Sequence, residues 1–121
     1  MSDVNKVMLV GRLGAKPELR KTASGEAVCN LRVATSYTSQ RSGQFERETL
    51  WHAVTVFGKQ AEQCATHLDK GRVVYVEGTL RPSEWTAKDG AVHHGREVRA
   101  SHVAFIDGRA GGSRAAEAAA A

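Results

Sequence analysis

Apolar residues in this chain recur mostly with a period of two, the spacing of a β-strand, and in one segment with a helical spacing. A first strand is expected at Val4–Val10, ending at Gly11 and Gly14. Val4, Met8 and Val10 share one parity and Val7 and Leu9 the other, so both faces are apolar and should be covered. A polar stretch with Pro17 and Thr22-Ala23-Ser24-Gly25 reads as a turn. Val28–Thr35 is the second strand, with Leu31 and Val33 pointing one way and Arg32 the other. Ser39–Gln44 has the composition of a loop.

The third strand, Arg47–Phe57, carries the most information. Its odd positions are Thr49, Trp51, Ala53, Thr55 and Phe57, and its even positions are Leu50, His52, Val54 and Val56. The even, aliphatic face is assigned to the core. Two large aromatics then stand outward among small polar residues, about 20 Å apart at ~3.3 Å per residue. After Gly58 a helix is expected over Lys59–Lys70, with Ala61, Cys64, Ala65 and Leu68 as its apolar stripe and Gly71 as its C-terminal glycine. Val73–Leu80 is a fourth strand, buried on both faces and stopped by Pro82. Trp85-Thr86 precede a Lys88-Asp89-Gly90 turn, and Arg96–Ile106 is the last strand. Tyr75 and Phe105 are expected in the core.

Five strands with one short helix between the third and fourth is the chain order of an OB-fold barrel, an all-β class. The domain is expected over residues 1–107. Residues 108–121 are rich in Gly and Ala (seven of the 18 alanines follow Arg109) and read as a disordered tail.

At 121 residues the chain fits a single domain that needs no disulfide or metal staple. No run approaches the ~20 apolar residues of a membrane helix, and Asp3 and Lys6 interrupt any signal-peptide pattern, so a cytoplasmic location is expected. Two cysteines are too few for a disulfide scaffold or a four-cysteine zinc site. Seventeen basic residues against 13 acidic leave a net charge of +4, and 11 of the 17 are arginine, which grips phosphate and stacks on planar rings.

The outward aromatics and the arginines tilt the reading from a small enzyme toward a nucleic-acid binder. Every base has a π-face, and each stack on an aromatic contributes about 1–3 kcal/mol. Trp51, Phe57 and Trp85 are the candidate platforms. Candidate phosphate contacts are Arg12, Lys16, Arg20, Lys21, Arg32, Lys59, Arg72, Arg81, Arg96 and Arg99. Other motifs carry less. Gly11-Arg12-Leu13-Gly14 has the GxxG form but sits between strand and loop. Cys64 and His67 are too few for zinc, and Cys64 suits the interior better. His93 and His94 point to opposite sides of an extended chain. No clustered carboxylates, deaminase signature, G-x-S-x-G or P-loop supports catalysis. Neither cofactor nor metal is expected.

The residues also carry a family likeness. Val4 through Gly14, followed by Lys16-Pro17-Glu18-Leu19-Arg20, resembles the opening of bacterial single-stranded DNA-binding proteins. Ala34-Thr35-Ser36, Trp51-His52, Val56-Phe57-Gly58-Lys59, Ala61-Glu62, Leu68, Lys70-Gly71, Val76-Glu77-Gly78, Leu80-Arg81 and Trp85-Thr86 continue it in order, over residues 3 to 107. The resemblance implies an OB-fold and non-catalytic binding of single-stranded DNA in replication, recombination and repair. It matches Trp51, Phe57 and Trp85 to the family's stacking aromatics, and Tyr37 approximately to a further one after the second strand. It implies homo-oligomers, commonly tetramers, with Val4, Lys6 and His52 at the interface; the shortened loop after the second strand leaves room for a dimer. Ala53 stands where many relatives carry a basic residue. The sequence ends in Ala115–Ala121 without the family's acidic tip, so recruitment of repair enzymes through such a tip is not expected. The alternative is an OB-fold module whose partner is protein, such as a primosome-type accessory subunit.

Overall fold

The computed structural model describes residues 3–106, and the tail expected at 108–121 lies outside them. The elements follow as β1 (Val7–Leu13), β2 (Glu18–Lys21), β3 (Ala27–Arg41), β4 (Gln44–Phe57), α1 (Lys59–His67), β5 (Val73–Thr86) and β6 (Val92–Ile106). Two long antiparallel hairpins, β3–β4 and β5–β6, make most of the structure. β1 pairs with β5 along its length and with β3 through Arg12 and Leu13. A short parallel pairing, Val54 opposite Val98 and Thr55 opposite Arg99, joins β4 to β6 and closes a five-stranded barrel. Closure leaves no open sheet edge around the core.

The all-β class and single helix match expectation, but the helix position is corrected. Glu18–Lys21 forms an additional strand against Ala27–Asn30, so α1 falls between β4 and β5. All four β2 residues are exposed, and without an inward face they show no alternation to read.

The core takes Cys29, Leu31 and Val33 from β3, Val54 and Val56 from β4, Val74 and Val76 from β5, and Val98 and Val103 from β6. Helix α1 adds Ala61 and Cys64, and Leu68 packs just beyond it. The expected helical stripe is therefore buried, but the helix stops at His67, where Leu68 turns extended. Gly71 belongs instead to a turn in which the Arg72 N–H donates to Asp69 O. Gln60 ties the helix to β6, donating to Ser101 O at 2.9 Å and accepting from the Val103 N–H at 2.8 Å.

β1 runs Val7–Leu13, through Gly11, rather than Val4–Val10, and four limits of the hairpin strands differ from expectation because the hairpins run beyond the barrel. Ser39–Gln44 is not a loop. β3 and β4 stay paired to Arg41 and Gln44, joined by Ser42-Gly43 with φ of 51° and 78°, the two left-handed residues of a type I′ turn. This arm meets solvent on both faces, which explains its polar composition and leaves Leu50 exposed rather than in the core. Pro82 does not end β5. The Leu80 N–H donates to Asn5 Oδ1, away from β6, so Pro82 two residues later turns its missing donor to the same free edge. The β5–β6 arm ends in an 87–91 turn closed by Ala87 N–H donating to Ala91 O.

Two burial expectations also change. The outer face of β1 is uncovered, with Met8 63 % exposed and Val4 and Val10 also exposed. β5 buries Val74 and Val76 on its inner face, but on the outer face only Val73 is buried. Tyr75 stands on the outer one, where its hydroxyl donates to Glu77 Oε1 at 2.9 Å, and Lys6 Nζ lies 3.3 Å from the same oxygen. That hydrogen bond, then Lys6, holds the Glu77 carboxyl below its usual range. Phe105 is partly exposed at the barrel end beside His67.

Candidate nucleic-acid interface

Trp51 projects from the outer face of β4 opposite Ala34, and its indole reaches the backbone of Gly14. A Cβ on Gly14 would stand 2.7 Å from Trp51 Cη2, so only glycine leaves room for the ring there. The ring keeps 48 % of its surface exposed, and the Arg32 guanidinium lies 5.2 Å from its centroid. Arg12, Arg47 and Trp51 line one hollow of about 420 Å³.

Phe57 ends the same face of β4. The Arg99 guanidinium lies over it at 4.4 Å, delivered by the parallel pairing that sets Thr55 opposite Arg99. Phe57, Arg81 and Arg99 share a hollow of about 220 Å³. Beyond it lies a larger one of about 590 Å³, with Arg20 and Trp85 on its walls. Thr55, Pro82 and Glu97 belong to both. Thr55 donates to Glu97 Oε2 at 2.6 Å.

Trp85 stands on the β5–β6 arm, 52 % exposed. Its cross-strand partner His93 stacks on it at 5.5 Å with 19° between planes, while a Cβ on Gly95 would come within 2.8 Å of the indole. His94 faces the other way, 3.6 Å from Glu84. Each tryptophan thus has a glycine that seats it, and all three rings have a cation or imidazole beside them. A guanidinium over an exposed ring contributes about 0.5–1 kcal/mol and limits the positions the ring samples.

The remaining sequence candidates are less concentrated. Arg81 and Arg96 share a hollow of about 440 Å³ with Val4 and Lys6. His52 is elsewhere, half-buried on the inward side of β4 with Nε2 2.9 Å from Thr35 Oγ1, and does not line the hollow that holds Val4 and Lys6. Tyr37 is on the β3–β4 arm opposite Glu48, on the face away from Trp51. Lys59 lies on the α1 side, beside Glu62 and His67. Lys16 is exposed between β1 and β2. Arg72 is half-buried, with an Nε that has no partner among the described residues. Sequence reasoning passed over Arg47 as a cation beside Trp51 and Phe45 at the arm's tip; both keep the odd parity of Trp51, which the sequence reading followed back only to Thr49. Among the described residues, no group of three or more His, Cys, Asp or Glu is placed to hold a metal ion. No helix among them is long and apolar enough to cross a membrane.

A model of the single-strand binding protein family matches residues 4–106. The chain belongs to that family. Two curated relatives from Neisseria meningitidis, of serogroups A and B and each named a single-stranded DNA-binding protein, are 42% identical to it over 107 residues. The match covers 88% of this chain and 62% of each relative, so the chain spans less than two thirds of their length. Among solved structures, the single-strand binding protein of Plasmodium falciparum in complex with single-stranded DNA superposes with a TM-score of 0.78 at 26% identity, covering 88% of this chain and 98% of that one. A deletion mutant of the single-stranded DNA-binding protein from Thermus aquaticus gives 0.75 at 36% identity, covering 88% and 52%. The single-strand binding family read from the motifs is the family these comparisons find.

Proposed function

We propose that the chain binds single-stranded DNA independently of sequence and protects it during replication, recombination and repair, acting stoichiometrically rather than as a catalyst. One observation carries this reading. Trp51, Phe57 and Trp85 all stand on the outside of the barrel, each with Arg32, Arg99 or His93 against it, in surface hollows also walled by Arg12, Arg20 and Arg81. Flat rings accept any base, and the cations track the phosphates between them. A duplex keeps its base faces stacked inside and cannot use the rings.

The same reading takes residues 1–107 as one DNA-binding domain in a cytoplasmic, nucleoid-associated protein. It also takes the subunit into a homotetramer, with a dimer as the smaller alternative. The exposed Met8 and Val10, beside Tyr75 and the Lys6–Glu77 pair, supply an outer face that a second copy would cover.

The test is tryptophan fluorescence during titration with oligo-dT, with a duplex control. Quenching by the single strand alone is expected, with an affinity that falls as salt rises by a log–log slope of about −0.7 per phosphate contacted. Trp51→Ala should weaken binding to all base compositions without unfolding the domain. Absence of quenching and of binding at low salt would overturn the reading and favour a protein partner.

A further inference from the structure

Phe45 is an exposed aromatic that the three-ring site leaves out. It sits one residue inside the β4 end of the 42–43 turn, and 73 % of its surface is open. Strand alternation puts Phe45, Arg47, Thr49 and Trp51 on one face of the β3–β4 arm. Phe45 precedes Trp51 by the same six residues that separate Trp51 from Phe57, about 20 Å at ~3.3 Å per residue. The cross-strand neighbours on this face are Gln40, Thr38, Ser36 and Ala34, none of them bulky enough to cap a ring.

The two faces of the arm differ in charge. The face of Phe45 carries Arg47 and leads into the hollow lined by Arg12 and Trp51. The other carries Glu46 and Glu48, with Arg41 drawn to Glu48 at 3.7 Å. A polyanion following the arm is attracted to the first face and repelled by the second. An isolated exposed phenylalanine is unremarkable alone. One that continues a line of rings, on the cationic side of an arm, meets the requirements of a base platform.

Resting on the single-stranded DNA reading above, we propose that Phe45 is a further base-stacking site, which extends the bound strand from Trp51 to the tip of the β3–β4 arm.

The experiment compares the wild-type chain with Phe45→Ala in binding dT oligomers of increasing length at fixed low salt. Light scattering and thermal unfolding run alongside. Short oligomers should bind both proteins equally. Oligomers long enough to reach the tip should bind the variant roughly 5- to 150-fold more weakly, the equivalent of one lost stack. Phe45→Trp should keep wild-type affinity and add a fluorescence component quenched only by the longer oligomers. Equal affinity at every length would overturn the proposal, as would a loss of the same size at every length. A smaller assembly for Phe45→Ala would also overturn it, assigning the ring to contact between copies. Failure of the wild type to bind any dT oligomer would overturn the DNA reading itself, and the proposal with it.

Discussion

Gly14→Ala adds one carbon under Trp51 and changes nothing else in the chemistry of the surface. Gly14 is outside the left-handed region, so alanine fits its backbone. Restricting the unfolded chain favours the variant by about 0.4–1 kcal/mol. The new Cβ, however, would press hardest on Trp51 Cζ3 and lie 2.7 Å from Cη2, where carbon contacts ordinarily sit at about 3.5–4.0 Å. The ring must retreat by about 1–1.5 Å. Because it is half exposed it can swing outward, giving up the Arg32 contact at about 0.5–1 kcal/mol. The two stability terms nearly cancel, and the folded state should change by less than about 1 kcal/mol. Binding should not be spared. Loss of the seated ring removes about 1–3 kcal/mol of stacking, a weakening of roughly 5- to 150-fold. Fluorescence anisotropy with labelled dT reads the affinity, urea unfolding reads the stability, and a Trp85→Phe background isolates the emission of Trp51. Wild-type affinity with unchanged Trp51 emission would refute the claim that Gly14 seats the ring. So would a domain that no longer folds, which would mean the ring has nowhere to swing.

Three further outcomes follow from the core and its margins. Leu31→Ala should cost about 2–5 kcal/mol in urea unfolding, since Leu31 is fully enclosed by both hairpins and α1; a cost under about 1 kcal/mol would contradict that enclosure. Burial holds the His52 pKa below its ordinary value of 6.5, so the folded state takes up its proton less readily than the unfolded chain. Its contribution is therefore full above the unfolded value and is lost as pH falls through the lower folded one; unfolding midpoints should drop between about pH 8 and pH 5, and less so in His52→Asn. Cys29 and Cys64 are both enclosed, and burial, with Cys29 adding to it, pushes the Cys64 thiol up to about 12. Neither should react with a thiol reagent at neutral pH until denaturant is added, and rapid labelling of the native protein would show that the core opens.

Much of this structure was legible in the chain because its signals are local. The alternation across Val54 and Val56 separated inside from outside in the barrel part of β4 and placed Trp51 and Phe57 outward. The stripe of Ala61, Cys64 and Leu68 located the helix, and Lys88-Asp89-Gly90 located a turn. The same logic lapsed where burial stopped. Leu50 keeps the parity of Val54 but stands beyond the barrel, so its apolar side chain meets solvent. The fully exposed β2 had no inward face to show.

By itself, then, the sequence determined the barrel class, the family and which side of β4 faces outward, because each depends on short-range alternation, turn chemistry or ordered motifs. Only the tertiary structure decided how far the hairpins extend, since a strand's length depends on where its partner still offers hydrogen bonds: Pro82 remains in β5 because its missing donor meets a free edge. It also decided how the rings are held. Gly14 lies under Trp51 and Arg99 over Phe57 although the chain places them far apart, because closing the barrel brings β1 to β3 and β6 to β4. Seats made by such long-range pairing leave no trace in local periodicity.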